Sequence, residues 1–122
     1  MRKWLGTLFV FLIVAGCGAG SSQRAIQELT STMEHELHIV YFYEQERPTE
    51  KLEAQLTGMK VFLARKNIPA SISYRKIKAD KDYEELLGVK DGQILVFDYK
   101  GIRFNARNIH VLEGMILQLS NP

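Results

Sequence analysis

The chain has 122 residues, 46% of them hydrophobic and 25% charged, with 16 basic and 14 acidic side chains, a formal net charge of +2 and one cysteine. This is ordinary globular composition, and once a targeting segment is set aside the length suits one domain of about 100 residues, enough to bury a core without disulfides. Without Arg2 and Lys3 the two signs are equal in number, which excludes a charge-driven attraction to nucleic acid as the organising function.

The N-terminus opens with the positive pair Arg2 and Lys3, followed by an uncharged apolar stretch from Trp4 to Ala15. A dozen residues are too few to cross about 30 Å of hydrocarbon as a helix, but they have the proportions of a signal-peptide core. The stretch ends in Val14-Ala15-Gly16-Cys17, an aliphatic residue and two small ones before cysteine, which resembles the lipobox of bacterial lipoproteins. The resemblance implies a diacylglyceryl-modified Cys17 and cleavage between Gly16 and Cys17. An ordinary secretory signal with a nearby cysteine, or an uncleaved anchor, are the alternatives. Residues 1–16 are thus expected to be a signal segment, containing the signal helix, and residues 17–23, small and polar after Cys17, a flexible tether. Residues 24–122 would form the domain.

Within that domain Ile26, Leu29, Met33 and Leu37 have helical spacing over residues 25–37, although Thr30, Ser31 and Thr32 weaken it. The β-branched and aromatic run Leu37 to Tyr43 reads as a buried strand. Thr49 is placed to cap a helix that carries Leu52, Leu56, Met59, Phe62 and Leu63 on one face and stops at Asn67 and Pro69. Gly58 inside it implies close packing against a neighbour. Ser71 to Lys78 reads as a second strand and Asp80 to Leu87 as a short helix ended by Gly88. A hairpin follows from Gln93–Tyr99 and Ile102–Ala106 around Lys100-Gly101. Asn108 caps a last helix bearing Ile109, Leu112, Met115, Ile116 and Leu119. The order β-α-β-α-β-β-α, with right-handed crossovers, predicts an α/β three-layer sandwich with a mixed sheet.

That order resembles the thioredoxin fold. More narrowly, "HIVYFYEQERPTEKLEAQL", "SISYRKIKAD" and "YEELLGVKDGQILVFDYKGIRF" are similar to the extracytoplasmic auxiliary domain of gliding-motility-type ABC transporters. In length and lipobox the chain also resembles small peptidoglycan-associated lipoproteins of Gram-positive bacteria. Thioredoxin-like redox chemistry needs a nucleophilic thiolate and a resolving thiol. The family places Cys-x-x-Cys where the first strand enters the first helix, and here that junction reads Gln45-Glu46-Arg47-Pro48-Thr49-Glu50. The family's cis-proline position corresponds to Asp91 and Gly92. A dithiol oxidoreductase is therefore excluded.

His35 and His38 would share a face only on a helix, and read more simply as residues leading into a strand, so no metal is expected; His110 stands alone. Acidic residues gather between Glu28 and Glu53. Basic ones follow at Lys60, Arg65, Lys66, Arg75, Lys76, Lys78 and Lys81, with Lys100, Arg103 and Arg107 near the hairpin. These could form a basic surface or interleave with acids after folding. The expectation is a non-catalytic binding or assembly module without a cofactor, anchored through Cys17 to the extracytoplasmic face of the cell membrane. Its partner would be an envelope protein or wall polymer and not nucleic acid. The surface expected to bind comprises Arg47, Thr49, Glu50, Asp91 and Gln93, with Arg75, Lys76, Lys78 and Arg103 as the basic part. A structural wall-associated lipoprotein, or an accessory component of an ABC transporter, is the alternative.

Overall fold

The computed structural model describes residues 22–31 and 33–119; the signal segment, Val14, Ala15, Gly16, Cys17 and most of the tether lie outside them. The first helix (α1) covers residues 22–29, shorter than the 25–37 expected from apolar spacing. Hydroxyl groups end it: Thr30 Oγ1 donates to the Gln27 carbonyl at 2.8 Å, and Ser31 Oγ to the Met33 carbonyl at 3.1 Å. Such side-chain bonds compete with the helical ladder. The Ser31 amide donates to the Asp98 carbonyl at 3.3 Å, which turns the chain toward the sheet. Met33, expected on the helix face, is instead exposed in the turn.

The strand β1, Leu37–Tyr43, falls where its residue types place it. The helix α2, Glu50–Arg65, is capped by Thr49, whose hydroxyl accepts the Leu52 amide, and has Glu50 and Glu53 in its first turn and Arg65 in its last, as the helix dipole favours. Asn67, at φ 64°, turns the chain out of it. Gly58 departs from expectation: it is exposed, and a Cβ built there meets nothing within 4 Å. No close approach requires it.

Strand β2, Ala70–Lys76, is followed by the short helix α3, Tyr83–Leu87, capped by Asp82 and closed by Gly88 at φ 70°. The expected strand and helix both lose residues to the loop between them, where Ile77 is buried and Lys78 bridges Asp82. The hairpin strands are β3, Ile94–Phe97, and β4, Ile102–Ala106. The last helix, α4, spans Ile109–Leu119, and the Asn108 side chain caps it, its Oδ1 accepting the Val111 amide at 3.0 Å.

The sheet order is β2-β1-β3-β4. β1 and β2 are parallel, and β3 is antiparallel to both β1 and β4, so the class is α/β with a mixed open sheet. Alternation along β1 and β3 supplies two cores. Leu37, Ile39, Ile94 and Val96 face Leu56, Met59 and Leu63 of α2 and Leu112 and Ile116 of α4. Val40, Phe42, Leu95 and Phe97 face Leu29, Ile77, Tyr83 and Val89 on the other side. Both central strands are therefore apolar at nearly every position. Each fully buried Leu, Ile or Phe contributes about 1.5–3 kcal/mol of burial. Two layers of helices thus hold the sheet, and its ends are left for polar residues.

Candidate functional site

The end of the sheet at which β1 stops gathers the polar residues. Tyr41 of β1 and Tyr74 of β2 are register partners, so both lie on the α2 side. Their rings meet edge to face at 6.2 Å and 60°, a favoured aromatic geometry. Both are half-buried against the core beneath α2. The Arg47 guanidinium, from the β1–α2 loop, lies 5.9 Å from the Tyr74 ring centroid, within cation–π range.

The loop before β3 is stitched to the same end. The Asp91 carboxylate accepts the Glu44 amide at 2.9 Å. The Gly92 amide donates to the Phe42 carbonyl at 2.8 Å, and the Phe42 amide to the Gln93 carbonyl at 2.9 Å. Gln93 is fixed on both sides: its Oε1 accepts the Lys90 amide at 2.9 Å and its Nε2 donates to Asn105 Oδ1 at 2.5 Å. A Cβ at Gly92 would lie 3.7 Å from the Tyr41 hydroxyl, so the loop backbone walls the phenol.

Electrostatics follow from this packing. Burial, and then the Asp91 carboxylate, push the Tyr41 phenol above its ordinary 10.0. Burial and Glu53 raise Tyr74, with Arg47 opposing them. Both phenols are neutral at physiological pH, each a donor and an acceptor with an aromatic face. The cluster offers a guanidinium, two carboxylates and two phenols around one end of the sheet. That combination suits recognition of a polar ligand with a flat or carboxylate-bearing group.

The expected residues divide accordingly. Arg47, Asp91 and Gln93 come together at this end, and Thr49 and Glu50 begin the helix beside them, Thr49 with its hydroxyl committed to the cap. Arg75, Lys76 and Lys78 lie at the end of β2 and just beyond it. Lys76 and Lys78 share a depression of about 520 Å³ with Glu44 and Gln45. Arg75 and Lys76 line a cleft of about 320 Å³ with Glu28, Asp80 and Lys81, where Lys81 pairs with Glu28. Lys78 also approaches Glu84 at 4.0 Å. Acids therefore interleave with these bases. Arg103 is on β4, the opposite edge strand, over the Phe104 ring at 5.5 Å, and two strands separate it from the β2 bases. Cys17 and its preceding motif lie outside the described residues.

His35 is exposed in the turn before β1, whereas the His38 ring binds the Leu29 carbonyl through Nδ1 and Ser73 Oγ through Nε2, both at 2.6 Å. The two histidines do not converge. Among the described residues no group of three or more His, Cys, Asp or Glu side chains could hold a metal ion. Tyr41, Tyr74 and Glu53 are not among the site residues expected from the sequence, where Tyr41 reads only as part of a buried strand. The available signal was the tyrosines' place, each two residues before the end of its strand; their pairing depends on a register that no local pattern encodes.

No family model matches the chain, and neither a curated protein nor a solved structure matches it significantly.

Proposed function

We propose that the chain is a lipid-anchored protein of the bacterial cell envelope, held on the extracytoplasmic face through Cys17, whose thioredoxin-like domain binds or helps assemble a partner without catalysis. Two parallel strands joined through α2, then an antiparallel hairpin and a closing helix, support the thioredoxin-like reading. The chain's one cysteine precedes the domain, so a two-thiol exchange has no chemistry at the β1–α2 junction. The observation that carries the binding reading is the half-buried Tyr41–Tyr74 pair beneath Arg47, beside Asp91. It sits at the end of the fold where thioredoxin-like enzymes meet their substrates. An accessory role in an ABC transporter is the form of assembly that the sequence resemblance implies.

The test is a photocrosslinking residue placed at position 47 of the full lipidated chain in its native membrane, with a second chain carrying it at the exposed position 60 on α2. A discrete adduct from position 47, absent from position 60 and weakened by Tyr74→Ala, is the expected result. Equal adducts from both positions, or none from position 47, contradict the reading. The alternative of a structural wall-associated lipoprotein has less support, because Arg75, Lys76 and Lys78 stand on the opposite edge from Arg103. Salt-sensitive co-sedimentation with purified wall material would revive it.

A further inference from the structure

The opposite end of the sheet, where β1 begins, carries apolar side chains that the two cores do not use. The β3–β4 turn presents Tyr99 and Ile102 with 44% and 43% of their surface exposed. Lys100 lies between them, its ammonium 5.5 Å from the Tyr99 ring. The turn is rigidly made. Asp98 Oδ1 accepts the amides of Lys100 at 2.8 Å and Gly101 at 3.0 Å, and the Asp98 amide donates to the Gly101 carbonyl at 2.8 Å. Gly101 has φ 147°, a conformation open essentially to glycine alone. It also rests on α1, since a Cβ there would lie 3.6 Å from Ile26 Cγ2. Gln23, Ile26 and Gln27 of α1 line an open cleft of about 340 Å³ with Lys100, Gly101 and Ile102. A tyrosine, an isoleucine and a lysine on a pre-formed tip match the layer between lipid headgroups and acyl chains, where aromatic rings sit and lysine extends its amine to water.

The length of chain outside the structure selects this occupant. Five residue steps join Cys17 to Ser22, the first described residue of α1, and fully extended they reach at most about 18 Å. A lipidated Cys17 therefore holds the start of α1 within that distance of the bilayer, and the hairpin tip packs on Ile26, about 6 Å further along the helix. Tyr41, paired with Tyr74, lies four residue steps along β1 from Leu37, about 13 Å further along the strands. Glu34, exposed in the α1–β1 turn, offsets Lys100, so the contact rests on Tyr99 and Ile102 more than on charge. Resting on the proposed lipidation of Cys17, we propose that the β3–β4 tip and the adjoining face of α1 form the domain's membrane-contacting base. Tyr99 and Ile102 enter the headgroup layer of a lipid bilayer, and the Tyr41–Tyr74 end points away from it.

The test uses the full lipidated chain in vesicles of mixed phosphatidylethanolamine and phosphatidylglycerol containing a headgroup nitroxide quencher. A fluorophore is attached through Gln27→Cys in one chain and Glu46→Cys in another, Cys17 being blocked by its lipid. Quenching at position 27 should exceed that at position 46 several-fold, and Tyr99→Ser with Ile102→Ser should remove most of that excess, because a tether alone does not hold a face against lipid. Equal quenching at the two positions in chains that float with the vesicles, or an excess untouched by the double substitution, overturns the orientation and leaves the lipidation standing. If chains expressed with Cys17 intact carry no lipid and do not float, the anchor reading fails, and the base contact with it.

Discussion

At the end of the sheet where β1 stops, Tyr41 and Tyr74 are half-buried among Arg47, Glu53 and Asp91. At the end where β1 starts, the hairpin tip and α1 are tied down by His38 and Asp98, and Tyr99 and Ile102 are left exposed. The same central strands serve both ends, yet the bonds are spent differently. At the first end they fix a loop around side chains that offer donors, acceptors and aromatic faces. At the second they fix α1 to the body, so that the described element nearest Cys17 in sequence is part of the fold. A domain fastened at the second end, as proposed, would hold a partner at the first end away from the anchoring surface.

The largest disturbance should come from the end where β1 starts. His38→Ala leaves the Leu29 carbonyl and the Ser73 hydroxyl without their partner, and a lost part-buried pair of this kind costs about 2–3 kcal/mol. Denaturant unfolding should show it, and hydrogen exchange should show protection lost first in residues 22–29, with Tyr41 and Tyr74 undisturbed. Asp98→Ala removes the acceptor for two turn amides and should cost about 1–2 kcal/mol, with the loss local to the tip.

The other end should answer to pH. Tyr41 and Tyr74 hold their protons above the ordinary 10.0, so the folded state binds more protons than the unfolded chain once pH passes that value. Stability is then whole below pH 10 and falls as pH rises through 10 and on through the folded values. Tyr41→Phe should flatten that decline in alkaline unfolding curves. Asp91→Asn removes the charge that raises Tyr41, and ultraviolet titration should find the phenol ionising at lower pH. The smallest effect has the opposite sign and belongs to neither end. Gly58→Ala fills open space on α2 and should stabilise by about 0.5–1 kcal/mol, without altering tyrosine titration or α1 exchange.

Much of this architecture was legible locally. The alternation and β-branching of Leu37–Tyr43, the Thr49 cap and the spacing of Leu56, Met59 and Leu63 each specify an element through contacts close in sequence. The failures arose where distant groups decide. Helix α1 ends at residue 29 because hydroxyls and the Asp98 carbonyl take over, against an apolar spacing that runs on to Leu37. Gly58 was credited with a neighbour that is not there. At the candidate site Arg47, Asp91 and Gln93 were accessible from their positions at the loops flanking β1 and β3. Tyr41 and Tyr74 were not, because strand register pairs them, nor was Glu53, which reaches Tyr74 only through the packing of α2 on the sheet. Arg103 shows the converse, a base that sequence grouped with the β2 lysines and that sheet order places on the far edge.

Both ends take their meaning from the residue that would fasten one of them to lipid. Metabolic labelling with a lipid precursor, comparing wild type with Cys17→Ser, tests this most directly. The account predicts a labelled, membrane-bound wild-type chain and an unlabelled Cys17→Ser chain released from the membrane. A Cys17→Ser chain that still takes up label and stays membrane-bound would contradict it.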